Sequence, residues 1–262
     1  MKDIKIIIAT HKNYQMPKSN MYMPVHVGAE GKQDLGYTKD NTGDNISTKN
    51  PYFCELTGLY WAWKNLNNDY IGLAHYRRHF SNTNKRLKTQ EEKFNNLLTK
   101  DTLDKLLNDT DIIVPKKRKY YIENLYDHYK HTMYIEPLDI TRDIIKEKYP
   151  KYLEEFDNLH KRTSAHMFNM FIMKKEILDG YCNWLFDILF ELESRVDNSK
   201  YDSFHARFYG RVSELLLDVY LNTNNLSYKE VKVIDMDKIN WFKKGTSFLK
   251  AKFKGEKYEK SF

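Results

Sequence analysis

Cysteine is scarce in this sequence, and long apolar runs are absent. Its two cysteines, Cys54 and Cys182, are too few for a disulfide framework or a cysteine-based zinc site, as in proteins of a reducing compartment. The longest aliphatic runs span about four residues, whereas a membrane-spanning helix needs about 20. The first residues also lack the pattern of a signal peptide. These absences predict a cytoplasmic protein.

The usual nucleotide and metal motifs are missing as well. No G-x-x-x-x-G-K-[ST] occurs and no G-x-G-x-x-G follows a strand, which disfavours P-loop ATPases, kinases and dinucleotide oxidoreductases. Without H-E-x-x-H or C-x-x-C, catalytic zinc is also disfavoured. Two D-x-D triplets, at 109–111 and 235–237, are weak candidates for a divalent ion. The first precedes its predicted strand, and the second follows the last one.

The positive charge is concentrated at one end of the chain. Lys and Arg outnumber Asp and Glu by 43 to 36, and residues 241–262 contain seven Lys and two Glu. Residues 1–240 are therefore almost balanced, which argues against a protein that coats nucleic acid over its surface. We predict one domain over 1–240 and a basic, aromatic tail over 241–262. Such a tail suits an anionic membrane surface, although a solvated terminus is an equal alternative.

Short apolar runs alternate with helical stripes, which predicts an α/β fold with some parallel strand pairing. One continuous helical stripe is expected after Asn50, where Pro51 takes the first helical position. A loop without clear periodicity is expected over 14–45. Strands are predicted at 5–10, 70–74, 111–114, 167–173 and 231–234, and further helices at 181–196 and 203–221.

Cationic residues follow three of the predicted strands. In open α/β sheets ligands bind at the carboxyl ends of the strands, so these residues predict an anion site, and paired Arg side chains suit a diphosphate. The alternative is a set of surface charges or structural ion pairs. The residues at the strand ends are Thr10, His11, Lys12, His75, Arg77, Arg78 and the run 116–119.

A general base near this site would be a carboxylate or a histidine. Asp202 precedes a predicted helix, so it is a candidate base or only a helix cap. Glu214 lies inside that helix, where Arg211 and the more distant Arg207 offer ion pairs instead.

Five motifs in order resemble the bacterial capsular and exopolysaccharide biosynthesis glycosyltransferase family, which includes β-1,3-galactofuranosyltransferases. The resemblance spans roughly residues 4–235. The motifs are YMPVHVG at 22–28, DNIS at 44–47 with NPYFCELT at 50–57, YWAWKN at 60–65, GLAHYRR at 72–78, and HMFNMFIM at 166–173 with YCNWLF at 181–186.

The resemblance implies an A-type glycosyltransferase-like fold, a single Rossmann-like domain with a mixed sheet and flanking helices. It implies inverting transfer of a sugar, with galactofuranose as a candidate, from a UDP-sugar to a hydroxyl of a lipid-linked polysaccharide intermediate. Thr10 and His11 would lie near the uridine. His75, Arg77 and Arg78 would stand where many A-type enzymes have D-x-D, so arginines rather than a metal would stabilise the diphosphate. A dependence on Mn²⁺ or Mg²⁺ is therefore disfavoured, although a divalent metal stays an alternative.

The resemblance also ranks the remaining site residues. Asp202 is the nearest match to the base of inverting A-type enzymes, and Glu214 is second. His166, Asn169 and Trp61 are candidates for the acceptor or sugar pocket, although the helical stripe also favours a core position for Trp61. The expected location is the inner face of the plasma membrane. The alternatives are a non-catalytic binder of nucleic acid or acidic glycan, and a nucleotide-sugar hydrolase.

Overall fold

The computed structural model describes residues 2–237. The predicted basic tail over 241–262 lies outside the described residues. The strands are β1 Ile4–Thr10, β2 Tyr22–His26, β3 Thr38–Lys39, β4 Tyr70–His75, β5 Arg78–Phe80, β6 Ile112–Pro115, β7 Arg118–Lys119, β8 Ser164–Ala165, β9 Phe171–Lys174, β10 Lys229–Val231 and β11 Val233–Asp235. The α-helices are α1 Asn50–Phe53, α2 Leu56–Asn65, α3 Gln90–Asn95, α4 Lys100–Leu106, α5 Leu125–Thr132, α6 Glu136–Lys148, α7 Leu153–Lys161, α8 Lys175–Arg195 and α9 Phe208–Thr223.

A mixed sheet forms the centre of the molecule, in the order β10-β6-β9-β4-β1-β2-β3. Neighbouring strands are parallel except around β9, which runs antiparallel to both β4 and β6. A side branch adds β5, antiparallel to β4, and then β11, antiparallel to β5. The predicted mixed α/β architecture is confirmed.

Both faces of the sheet are covered, so the central strands are apolar throughout. In β1, Ile7 and Ala9 point into one hydrophobic cluster, whereas Ile6 and Ile8 point into the other. The larger cluster also contains the apolar faces of α2, α8 and α9. Of the helices in residues 2–237, none is both long enough and apolar enough to cross a membrane.

The long loop predicted over 14–45 is wrong in part, because it contains β2 and β3. β2 pairs in parallel with β1, and Pro24 lies opposite Ile8. Proline provides no amide hydrogen for a strand ladder, so a proline inside the run argued against a strand.

Two other elements differ from the prediction at backbone positions of positive φ. The single helical stripe after Asn50 is two helices, α1 and α2, because Cys54 between them has φ 52°. The strand predicted over 167–173 is shorter, since Phe168 and Asn169 have φ 79° and 51° before β9 begins. Residues with a side chain rarely adopt this region, so a periodicity pattern does not predict such breaks.

Candidate active site

A cavity of about 600 Å³ lies at the carboxyl ends of β1 and β4. Its walls also come from residues after β2 and β6, the start of α1, the two residues between α1 and α2, α5, the segment before β9 and the first turns of α9. This is the edge of an α/β sheet where ligands usually bind.

The cavity wall is strongly cationic. Two carboxylates, from Glu55 and Glu214, also face it. A concave surface with an excess of positive charge concentrates anions, as expected from the strand-end residues. The cations of the wall are Lys32, Arg77, Arg78, Arg118, Arg207 and Arg211.

Arg77 and Arg78 both line the cavity, and each is close to a carboxylate of the β11 end. Arg78 Nε donates to Asp235 Oδ1 at 3.0 Å, and its guanidinium carbon lies 4.3 Å from the ring centre of Phe168. Arg77 Nε is 3.9 Å from Asp237 Oδ2, and its side chain is 36% exposed. The predicted diphosphate site and the predicted structural ion pairs thus involve the same two arginines.

His11 lines the cavity beside these cations. Burial lowers its pKa, and the charges of Lys12, Arg207 and Arg77 lower it further. His11 is therefore a neutral imidazole near neutral pH, available to donate or accept a hydrogen bond. Arg207, which directly precedes α9, lines the same cavity as His11. The start of α9 and the end of β1 therefore contribute to one cationic surface.

The neighbours of His11 occupy other positions. Thr10 is fully buried, and its hydroxyl donates to the carbonyl of Lys12 at 2.6 Å. The Lys12 ammonium lies 5.0 Å from the ring centre of Tyr76. His75 lines the cavity, and its Nε2 donates to the carbonyl of Phe168 at 2.5 Å. Roles for these residues in donor binding stay predictions.

Two comparisons with known proteins cover most of the chain. Residues 5–225 match the family described as Domain of unknown function (DUF4422). The chain belongs to the DUF4422 family. No curated protein matches it.

This DUF4422 chain is also similar in structure to the WbbM bifunctional glycosyltransferase, determined in its apo form. The TM-score is 0.82 at 31% sequence identity, and the match covers 90% of this chain. It covers 46% of that protein, so this chain spans less than half of the length of its structural neighbour. The predicted A-type glycosyltransferase-like fold, with its mixed sheet and flanking helices, is confirmed.

The two predicted catalytic carboxylates of the DUF4422 chain lie in different environments. Glu214 lines the cavity, and its Oε1 is 3.4 Å from Nη1 of Arg211. Burial lowers the pKa of Arg211, but the charges of Glu214 and Glu55 outweigh it and the pKa is raised. This arginine is a permanent cation of the wall.

Asp202 does not belong to the described cavity lining. Its side chain is 58% exposed and caps the turn before α9, accepting from the amides of Phe204 and His205 and from His205 Nδ1. Burial acts to raise its pKa, but these hydrogen bonds outweigh it, so the pKa is lowered. The helix-cap alternative therefore describes its contacts.

The three residues predicted for the acceptor pocket are all buried, and none of them belongs to the described cavity lining. His166 is enclosed by carboxylates: Nδ1 contacts Asp218, and Nε2 is 2.9 Å from Glu230 Oε1. Trp61 lies in the core, and its Nε1 donates to the Thr42 hydroxyl at 3.0 Å. Their sugar-binding roles stay predictions.

The buried Asn169 side chain contacts a residue of the cavity wall. Its amide nitrogen donates to Glu55 Oε1 at 2.7 Å and to the carbonyl of Gly210 at 3.0 Å. Sequence reasoning missed Glu55, because it lay inside what was predicted to be one continuous helix. Lys32 was missed too, since it belongs to a loop without periodicity.

The carboxylates of both D-x-D triplets have partners within the protein. Asp109 pairs with Lys229, and Asp111 accepts from the Tyr70 hydroxyl at 2.8 Å. Asp235 and Asp237 face the two arginines described above. Residues 2–237 contain no group of three His, Cys, Asp or Glu side chains arranged to hold a metal ion.

Cys54 is a neutral thiol in the cavity wall. Burial and the nearby charge of Glu55 raise its pKa to about 12. Since the thiolate is the nucleophilic form, Cys54 is not poised for covalent catalysis near neutral pH.

Proposed function

We propose that this chain is a glycosyltransferase that moves a sugar from a nucleoside-diphosphate donor to a hydroxyl of a glycan acceptor. The observation that carries the proposal is the cationic cavity at the carboxyl edge of the sheet. Arg77, Arg78 and Arg207 supply guanidinium groups there, and guanidinium pairs bind phosphate oxygens in a fork geometry. The similarity of fold to a bifunctional glycosyltransferase supports the same reaction class.

In this proposal the arginines act on the leaving group. As the bond between the anomeric carbon and the phosphate oxygen breaks, negative charge develops on the diphosphate. Fixed positive charges stabilise that state more than the ground state, which lowers the barrier. Neutral His11, which lines the same cavity, would hydrogen-bond the nucleotide without adding charge.

Finer features of the proposal rest on the resemblance of the sequence motifs. They are a UDP-linked donor with galactofuranose as the candidate sugar, a lipid-linked capsular or exopolysaccharide acceptor, and inversion at the anomeric carbon. We place the enzyme in the cytoplasm at the inner face of the plasma membrane, with residues 241–262 as the basic membrane contact. Removal of 243–262 should weaken binding to anionic vesicles while activity on a soluble acceptor is retained.

A screen of nucleotide sugars by thermal shift, with and without EDTA, tests the proposal. We expect UDP and one UDP-sugar to raise the melting temperature, and EDTA to leave the shift unchanged. Arg78→Ala should abolish the shift, while the melting temperature of the unliganded protein falls by no more than about 4 °C, since the ion pair with Asp235 contributes at most about 1 kcal/mol. A protein that ignores every nucleotide sugar but binds RNA with a steep salt dependence would instead be a nucleic-acid binder.

A further inference from the structure

Direct displacement requires a base for the acceptor hydroxyl, and this inference about its identity rests on the proposed function. The carboxylates of the described cavity lining belong to Glu55 and Glu214. Glu214 is 6% exposed and already paired with the Arg211 guanidinium. A carboxylate held by a cationic partner is a poor proton acceptor, because the partner stabilises its charged form.

Glu55 also interacts with the charge of Arg211, but its hydrogen bond is to an uncharged partner. It directly precedes α2, and Oε1 accepts the hydrogen bond from the uncharged Asn169 amide at 2.7 Å. Among hydrogen bonds and ion pairs between described residues, its other oxygen takes part in none. One oxygen is thus fixed in orientation while the other remains available to a ligand in the cavity.

Backbone strain is concentrated around this pair. Of the non-glycine residues with positive φ in residues 2–237, Cys54 directly precedes Glu55, and Asn169, preceded by Phe168, donates to it. The fourth, Asn225, lies in a turn after α9. Each such conformation costs about 1–3 kcal/mol and persists only where surrounding structure enforces it. Cys54 aims Glu55 into the cavity, and the Phe168–Asn169 pair aims the amide at Glu55. Strained residues thus lie on both sides of the hydrogen bond between Asn169 and Glu55, and both hold this pair in one orientation.

We propose that Glu55 is the general base of the transfer and that Asn169 is its positioning residue. The acceptor hydroxyl loses its proton to the Glu55 carboxylate as its oxygen bonds to the anomeric carbon of the donor. The bond from that carbon to the phosphate oxygen breaks, and its electron pair leaves with the nucleoside diphosphate. The proton passes from Glu55 to solvent after product release.

Glu55→Gln tests the base directly, because the glutamine oxygen still accepts the hydrogen bond from Asn169. We expect kcat to fall by about 10²- to 10⁴-fold, the usual contribution of general acid–base catalysis, while UDP affinity stays within about threefold. Glu55→Asp, which keeps a carboxylate, should retain more activity than Glu55→Gln. Glu176→Gln removes an exposed carboxylate of α8 and is the matched control with unchanged kinetics.

The outcomes are distinguishable. If the wild type transfers sugar and Glu55→Gln retains its kcat, the assignment is overturned, and Asp202→Asn losing kcat in the same assay would return the role to Asp202. If the wild type transfers no sugar from any nucleotide donor, the proposed function itself fails, and the assignment fails with it.

Asn169→Gly separates positioning from folding. Glycine adopts positive φ without strain, so this variant removes the amide while keeping the backbone. We expect kcat to fall about tenfold or more with little change in the KM for the donor, since orientation of the base contributes to the chemical step. A rise in donor KM with unchanged kcat would show that Asn169 supports the donor site instead and would overturn its role here.

Discussion

Gly72 lies at the centre of β4, where the sheet leaves no room for a methyl group. A Cβ atom placed there would be 2.8 Å from Ile172 Cγ1, 2.9 Å from the carbonyl oxygen of Phe171 and 3.2 Å from Ile6 Cγ1. These distances are well inside the ~3.5–4.0 Å at which carbon atoms attract. Gly72 pairs with Ile6 of β1 on one side and Ile172 of β9 on the other, so neither neighbour can move alone.

We therefore expect Gly72→Ala to destabilise the fold. Overpacking in a core costs about 1–3 kcal/mol, and the reduced entropy of the unfolded chain offsets about 0.4–1 kcal/mol of that. The net loss of roughly 0.5–2 kcal/mol corresponds to about 1–8 °C in melting temperature for a domain of this size. Thermal and urea unfolding followed by circular dichroism measures both quantities.

Gly210→Ala is the matched comparison, because the chemical change is the same in a roomier place. Its Cβ would meet Glu55 Oε1 at 3.9 Å and Cys54 Cβ at 4.0 Å, which are ordinary contacts. Since Gly210 lies in the first turn of α9, alanine should raise the stability of the helix by up to about 1 kcal/mol, the difference found in helix interiors. Opposite signs for the two variants support the packing argument, and a Gly72→Ala protein at least as stable as the wild type refutes it.

Three further predictions concern acid stability, a helix cap and the arginine pair. Burial and nearby His75 lower the pKa of His79 from 6.5 to about 4, so the stabilising effect of the neutral imidazole is complete above pH 6.5 and lost as the pH falls towards 4. Urea unfolding from pH 7 to 4 should show the free energy of unfolding falling over this range, and the fall should be smaller in His79→Leu. Thr89→Ala removes the capping box of α3, which has no buried residue, so amide exchange in Gln90–Asn95 should accelerate while the melting temperature changes little. Asp235→Asn frees Arg78 from a partly exposed ion pair that contributes about 0.2–1 kcal/mol, so titration calorimetry should show UDP binding roughly 1.4- to fivefold tighter. Unchanged or weaker binding contradicts this competition.

The sequence predicted the parts of the site that depend on strand order. Cationic residues after β1, β4 and β6 were expected to meet because parallel strands end at one edge of a sheet, and His11, Arg77, Arg78 and Arg118 do line one cavity. The α/β class followed in the same way from short apolar runs, which is why β1, β4 and β6 were located.

Features that depend on tertiary contacts were not predictable. His166 contacts Asp218 from α9 and Glu230 from β10, and no local pattern marks such partners. Glu55 lies in the cavity wall directly after Cys54, and a helical stripe does not reveal the positive φ of Cys54 that separates α1 from α2. These are the positions where the local preference of the chain gives way to the packing around it.

The cavity described above has a consequence for how the protein folds. Its walls come from segments near residues 9–11, 50–55, 75–78, 118–133, 167–168 and 204–215, which are distant in sequence. Closing such long loops is slow, and α-helices form much faster than these contacts. A ligand of the cavity therefore binds only the fully folded protein. During refolding, ligand binding should recover later than the helical signal in circular dichroism.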